Sequence, residues 1–367
     1  MIPYVEILEK YTLKPFALIE PSECWFEIAY YDKGQFEIYA PASPTHLNAL
    51  HKGNYVKIPN KPFIWVINAI EYMFNADGAR MISAKGYEAA KAITEKRIIR
   101  DPLELPNGLQ NALEMIFTAN LGTGAIQQRR INGFSWTWSG LNGKTTDAQA
   151  TRGNLWEFTS NLLKLHKVGS KSVLNNGEIV FETVNGADKS DTVIFSQSLD
   201  NLISATYLTS DEDYKTNCQI VSTFNEQEEE NQQTKTVSHD YVTYEPIETA
   251  GGSGIDRAEI SISSNLSTKV KDEHGDEMEI LPDSAQYIAM QQAEGAATLA
   301  EKQVKTEFNG EIDLANSLYV FGEDFNVGDL VRIIDEYFGY TAKARITKYT
   351  IKQDAGGYGE EAEYGNE

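Results

Sequence analysis

Two runs of alternating polarity, Cys24 to Tyr31 and Gln35 to Ala40, flank the short link Asp32-Lys33-Gly34 in "CWFEIAYYDKGQFEIYAP". Aromatic and β-branched residues at every second position fit a strand with one buried face, and a link this short forces the two runs to lie antiparallel. Gly34 is expected at the positive-φ position of the turn. The pattern continues through "NYVKIP", "PFIWVINAIEYMF" and "ARMISAKG", with turn residues between the runs, including Asn75 to Gly78. Consecutive short antiparallel strands of this kind close into a barrel or pack as a sandwich.

The period changes at "GYEAAKAITEKRII", where Ala89, Ala90, Ile93 and Arg97 fall at helical spacing. A second helix is expected in "DPLELPNGLQNALEMIFTANL", ended near Gly122, and a strand at "INGFSWTWSG" puts Trp136 and Trp138 on one face. In "TRGNLWEFTSNLLKLHKVG", Leu155, Phe158, Leu162 and Leu165 form an apolar helical stripe. Strands resume in "EIVFETV", "DTVIFSQS", "LISATYLTS" and "NCQIVSTF". The polar stretches Asn225 to Asp240 and Lys271 to Glu279 read as exposed loops, and Gly251 to Gly254 as a flexible turn. A last helix is expected in "PDSAQYIAMQQAEGAATLAEKQ", with Pro282 in its first turn and Ala285, Ile288, Ala289, Gln292, Ala296 and Leu299 on one stripe. Short strands follow, and the Gly, Glu and Tyr tail is expected to fray.

The fold class is therefore mainly β with α+β insertions. The chain of 367 residues divides into a first β-barrel over 1–100, an inserted α/β part over 101–190, a β-rich segment over 191–270 that contributes to the barrels, and a helix with C-terminal barrel strands over 271–367. These boundaries are approximate, because barrels with insertions draw strands from distant segments.

Charge and composition exclude several function classes. A net charge of −22 opposes a surface built to neutralise phosphates. No apolar run reaches the length that spans a bilayer, and the start lacks the basic-then-apolar pattern of a secretory signal, so neither a membrane span nor export by the general route is expected. Cys24 and Cys218 are far apart and outside any ligand spacing; they read as buried apolar groups. His46, His51, His166, His239 and His274 are scattered without a legible third ligand. No nucleophile elbow or zinc motif is present, and "GTGAIQ" and "GLNGKTT" fail the spacing of a phosphate loop. No catalytic, metal or cofactor site is assigned.

"LYVFGEDFNVGDLVRII", Leu318 to Ile334, alternates acids and amides like a calcium loop. Counted from Asp324, however, the sixth position holds Asp329 in place of glycine and the twelfth holds Asp335 in place of glutamate, so the spacing fails. Gly328 and Asp329 are better read as a turn that launches the strand "LVRII".

This stretch also carries a resemblance. Asp324, Phe325, Val327, Gly328, Asp329 and Val331, preceded by "GIDRAEISISSNL", the Ala-rich helix, "FNGEID" and followed by "ARITKYTIK", resemble in order and spacing the tail-hub proteins of long-tailed bacteriophages, the siphovirus ReqiPepy-type tail family. The N-terminal strands and "ARMISAKGYEAAKAITEKRII" resemble that family's opening half, so the likeness covers most of the chain. It implies a baseplate-hub fold of two small β-barrel tube-type domains with inserted α/β domains. It further implies a virion protein, made in the host cytoplasm, at the distal end of the tail.

Three copies would form a homotrimeric ring that contacts the distal tail protein, the tape-measure protein and tail-tip or receptor-binding proteins, with DNA only as passing cargo. Three chains would carry about −66, three times −22, and an acidic lumen would repel DNA without trapping it. The two polar stretches are candidates for partner contacts. Asp324, Phe325, Gly328 and Asp329 would be a structural turn and not a reactive site, and the protein is not expected to be an enzyme. Three other readings stay open: the hub of a contractile or gene-transfer particle, a carbohydrate-binding protein using Trp136 and Trp138, and a glycan-degrading enzyme with a carboxylate pair.

Overall fold

The computed structural model describes residues 4–222, 225–230, 233–238, 247–248, 251–264, 266–282, 284–303, 305–315 and 317–365. The first stretch holds β1 (Val5–Leu8), β2 (Pro15–Ile19), β3 (Glu23–Ala29), β4 (Gln35–Pro41), α1 (Pro44–Ala49), β5 (Tyr55–Lys57), β6 (Trp65–Phe74), β7 (Arg80–Glu88) and α2 (Ala89–Glu95). A mixed segment follows with β8 (Leu103–Glu104), α3 (Leu109–Asn120), β9 (Phe134–Thr137), β10 (Gln149–Ala150), α4 (Leu155–Leu165), β11 (Gly169–Asn175) and β12 (Glu178–Val184).

The chain then makes β13 (Ile194–Ser196) and β14 (Leu202–Ser210) before a second excursion. That excursion contains β15 (Asn217–Ser222), β16 (Asn225–Glu230), β17 (Gln233–Ser238), β18 (Ile247–Glu248), β19 (Glu259–Ser264), β20 (Lys269–Lys271), β21 (Glu277–Glu279) and α5 (Ala285–Glu301). It returns through β22 (Lys305–Asp313), β23 (Leu330–Asp335), β24 (Tyr340–Asp354) and β25 (Gly357–Gly365). The fold is mainly β, with the longer helices in the two excursions.

Thirteen strands form one hydrogen-bonded network in the order β14-β22-β25-β24-β3-β4-β7-β6-β5-β1-β2, with β23 bridging β24 and β13. β24 unites the two ends of the chain. Its first half pairs with β23, its second half pairs with β3, and β25 runs along its other edge. One apolar core accordingly draws residues from Val5 to Tyr364, a second gathers around α3, α4 and β12, and a small third one holds Val270, Ile280, Tyr287 and Met290. No helix among the described residues is long and apolar enough to cross a membrane.

Several local expectations are corrected. Gly34 does not have a positive φ. It is needed because a Cβ there would lie 2.3 Å from the Glu27 carbonyl oxygen, so close packing and not turn dihedral excludes a side chain. α1 was not anticipated, although Ser43 caps it by accepting the His46 N–H and Pro44 opens it. Pro282 lies outside α5, whose cap is Ser284, accepting the Tyr287 N–H.

The buried face of α5 is Tyr287, Met290, Gln291 and Gly295 in place of the Ala-rich stripe. Tyr and Met bury more area than Ala, so they set the orientation. The polar stretch from Asn225 supplies β16 and β17, which pair antiparallel, while residues 231–232, His239 and Asp240 fall outside the described residues. Thr234, Thr236 and Val237 supply the β-branched bias that its acidic composition hid. Lys271 to Glu279 likewise closes the β20-β21 hairpin. The tail through Gly365 is the strand β25, from which Ala362 and Tyr364 alternate inward and are buried, while residues 366–367 lie outside the described ones.

α2 is fastened to the sheet by a buried ion pair. Lys91 Nζ lies 2.7 Å from Glu88 Oε2, with both side chains at most 1% exposed. Lys91 also donates to the carbonyl oxygens of Ala29 and Asp32, and Glu88 accepts the N–H groups of Gly34 and Ser172. Every charge therefore has several partners, which is the condition for tolerating burial. Lys91→Met, which strands the Glu88 carboxylate, should cost about 3–5 kcal/mol in urea unfolding followed by tryptophan fluorescence. Adding Glu88→Gln should recover part of that loss, and a double variant less stable than the single one would contradict this account.

Candidate functional site

The acidic stretch before β23 folds on its own backbone. Val320 N–H donates to Asp324 Oδ2 at 2.8 Å, and Gly322 N–H donates to the Phe325 carbonyl at 2.8 Å. Phe325 is fully buried, edge-on to Phe195 and Phe321. Gly328 takes φ +93°, a region that disfavours side chains. Asp329 is 6% exposed, and both its carboxylate oxygens accept backbone N–H groups: Oδ2 from Asn326 at 2.9 Å and Oδ1 from Ala187 at 2.7 Å. Each oxygen of the carboxylate thus has a backbone N–H partner of its own. Asp335, at the twelfth position, accepts the N–H groups of Tyr337 and Phe338 in the next turn.

The Ala187 bond makes this turn a junction between distant parts of the chain. Leu330 N–H donates to Ala187 O at 2.9 Å, and Lys189 N–H donates to Leu330 O at 2.8 Å. β13 continues that contact as a parallel pair with β23. Outside it, Lys343 and Ser190 hold the Asp188 carboxyl well below the usual carboxylate range by hydrogen bonding.

Tyr30, fully buried, sits at the centre of the junction. A Cβ at Gly328 would lie 2.2 Å from its ring, and one at Gly169 would lie 2.3 Å from it. Its hydroxyl lies 2.9 Å from the Val184 carbonyl and 3.1 Å from that of Lys167, and it accepts the Gly186 N–H at 3.3 Å. Burial pushes its pKa up, so the phenol stays a neutral donor. The Arg345 guanidinium is 5.6 Å from the ring centroid and donates to Gly328 O. Gly186 and Gly328 touch backbone to backbone, with no room for a Cβ between them.

Asp324, Phe325, Gly328 and Asp329 are therefore gathered in one structural element. The sequence reading missed Tyr30, Gly186 and Arg345, which complete it. Nothing in local spacing could have joined positions that far apart, although a glycine beside an aromatic contact is the kind of signal homologous sequences would carry.

Trp136 and Trp138 lie elsewhere, on the second core. Both indole N–H groups donate to Glu114 Oε2, at 2.7 and 2.8 Å. Phe117 meets both rings edge-on at centroid distances of 5.5 and 5.0 Å. Their polar atoms and one side of each ring are thus engaged within the chain, and both residues remain partly exposed. His46 bonds the Pro41 carbonyl, His166 ends α4 with its pKa lowered by burial and Lys144, and His274 lies in the β20-β21 turn. Cys24 and Cys218 are buried and free, the Cys24 thiol pushed up to about 12 by burial.

A model of the family described as Siphovirus ReqiPepy6 Gp37-like protein matches residues 22–366. The chain belongs to this family. It is thus a phage tail protein, and the Gly-Asp junction lies within the matched region. A search of the curated proteins returned no match. Among solved structures, the 43 kDa tail protein of prophage MuSo2 from Shewanella oneidensis is 12% identical, with a TM-score of 0.58 over 98% of each chain. The tail protein from Neisseria meningitidis is 10% identical, with a TM-score of 0.54 over 99% of this chain and 96% of that one. The prophage tail protein gp18 from Listeria monocytogenes is 13% identical, with a TM-score of 0.53 over 99% of this chain and 94% of that one. At these identities the likeness speaks for the fold.

Gly328→Ala should destabilise the Gp37-like chain by about 3 kcal/mol or more, through strained φ and the collision with Tyr30. Asp329→Asn, which replaces one acceptor by a donor, should cost about 1–3 kcal/mol. Added calcium should leave the melting temperature of the unaltered protein unchanged, because the carboxylate is already bonded to amides; a calcium-dependent rise lost in Asp329→Asn would reverse the reading.

Proposed function

We propose that this tail protein is the hub at the distal end of the tail tube. Three copies form a ring that joins the distal tail protein to tip or receptor-binding proteins, meets the tape-measure protein, and leaves a conduit for DNA when the particle attaches to its host. In this reading the protein works by assembly and not by catalysis. The observation that carries it is the open sheet. Among the described residues, the main path of eleven strands ends at β2 on one side and β14 on the other, and the branch through β23 ends at β13. Phe16 and Leu18 on β2 are exposed, as are Ile203, Tyr207 and Leu208 on β14.

Unpaired edges with exposed apolar residues are a liability for a free monomer. Two different edges on one chain suit head-to-tail contacts, which close into a ring when the rotation allows. The net charge of −22 per copy suits a conduit that must release DNA.

The reading is tested by light scattering on the purified protein, where a ring of three 41.0 kDa chains would weigh about 123 kDa. Phe16→Asp on one edge, or Leu208→Asp on the other, should shift the mass to that of a folded monomer. A wild-type protein that stays monomeric at all concentrations, alone and with its neighbouring tail protein, would overturn the proposal.

A further inference from the structure

α4 and α5 come from chain segments more than a hundred residues apart and face one another across a groove of about 550 Å³. Phe158, Leu162 and Leu165 line it from α4, and Met290, Ala293 and Ala297 line it from α5. Both sets follow the i, i+3, i+4, i+7 spacing of a single helical face. Three of the four residues in the apolar stripe legible in α4 therefore lie along this groove, and Leu165 is 40% exposed. The buried residues of α4 are Leu155, Trp156, Thr159, Ser160, Leu162 and Leu163, so Leu162 sits where the second core meets the groove, while Phe158 and Leu165 are more open. On α5, Tyr287, Met290, Gln291 and Gly295 are buried, Met290 lying at the floor of the groove, and the partly buried Ala293 and Ala297 line its wall.

The groove continues into a smaller cavity of about 300 Å³ that shares Thr146, Asp147, Ala148 and Met290 with it and reaches Gln286. From Gln286 to Ala297, at 1.5 Å per residue, the α5 wall is roughly 16 Å long, enough for about three turns of another helix. The small side chains of Ala289, Ala293 and Ala297 let such a helix approach closely.

The charge around the groove has one sign. Asp147, Glu157 and Glu294 line the main part and Glu104 lines the extension, whereas no lysine, arginine or histidine lines either. An apolar floor between helices, bordered by uncharged polar residues and by charged residues that are all acidic, matches one kind of occupant, an amphipathic helix with an apolar stripe and cationic flanks. We infer that the α4–α5 groove is a docking site for a basic amphipathic helix of a partner protein. The inference stands apart from the ring reading, since the open edges β2 and β14 contribute nothing to the groove.

The test uses the full-length protein and a fluorescein-labelled peptide of about 18 residues, roughly five helical turns, with leucines along one face and lysines on the flanks. Fluorescence anisotropy should show saturable binding that weakens as salt is raised. Ala293→Trp, which fills the groove, should weaken binding about tenfold or more, the loss expected when a central contact is removed. Glu157→Lys should weaken it several-fold. A peptide with glutamate in place of every lysine should not saturate.

Leu165→Asp, at an exposed position, serves as the second groove variant if Ala293→Trp alters the melting curve. Unchanged affinity in a folded groove variant would overturn the inference, as would equal binding of the glutamate peptide or of a lysine peptide with its leucines scattered. Self-association abolished by Leu165→Asp, with no peptide binding, would assign the groove to a second copy of this chain and also overturn it.

Discussion

The contact on which the two ends of the fold depend is the bonding of one carboxylate, Asp329, to N–H groups of Asn326 and Ala187. One bond shapes the turn before β23, and the other pins that turn to the segment leaving β12. Tyr30 fills the space behind it, and its ring and hydroxyl touch residues from three separate stretches of chain. Because the glycines at 169, 186 and 328 leave no slack, this packing defines a single arrangement of strands that would otherwise be free to slide. β24 then carries the arrangement across the sheet by pairing with β3, so that the last strands of the chain complete the sheet begun by the first.

This rigidity sits beside surfaces that the chain leaves open. Among the described residues the main path of the sheet ends at β2 and β14, and the two excursions meet at a groove whose charged lining residues are all acidic. Apolar residues exposed on β2 and β14 are what support the proposed assembly role. Glu88 and Lys91 are both charged and buried, and every strong contact they make is structural.

Much of the β architecture was legible because alternation is a local property. The β3–β4 hairpin, the strands β6 and β7 and the turn at Gly328 follow from side chains within a few residues of one another. The failed calcium spacing is a reading of the same local kind, and in the structure both oxygens of Asp329 accept backbone N–H groups. Errors arose where composition stood in for contact. The tail around Tyr364 is expected to fray by its composition, yet Ala362 and Tyr364 are buried, the Tyr364 ring against Phe308 and its hydroxyl donating to the Ser204 carbonyl. The α5 stripe was drawn through alanines, while Tyr287 and Met290 decided which side turned inward.

The order of short strands and amphipathic helices, the strongly negative charge and the Gly-Asp turn were determined by the sequence itself, since each depends on neighbours along the chain or on sums over it. Tertiary structure alone decided that Tyr30 meets Gly328, that Trp136 and Trp138 share Glu114, and that the α4 stripe borders a groove. The physical reason is that a side chain's type states what it can pair with, whereas burial and orientation depend on which distant segment arrives beside it.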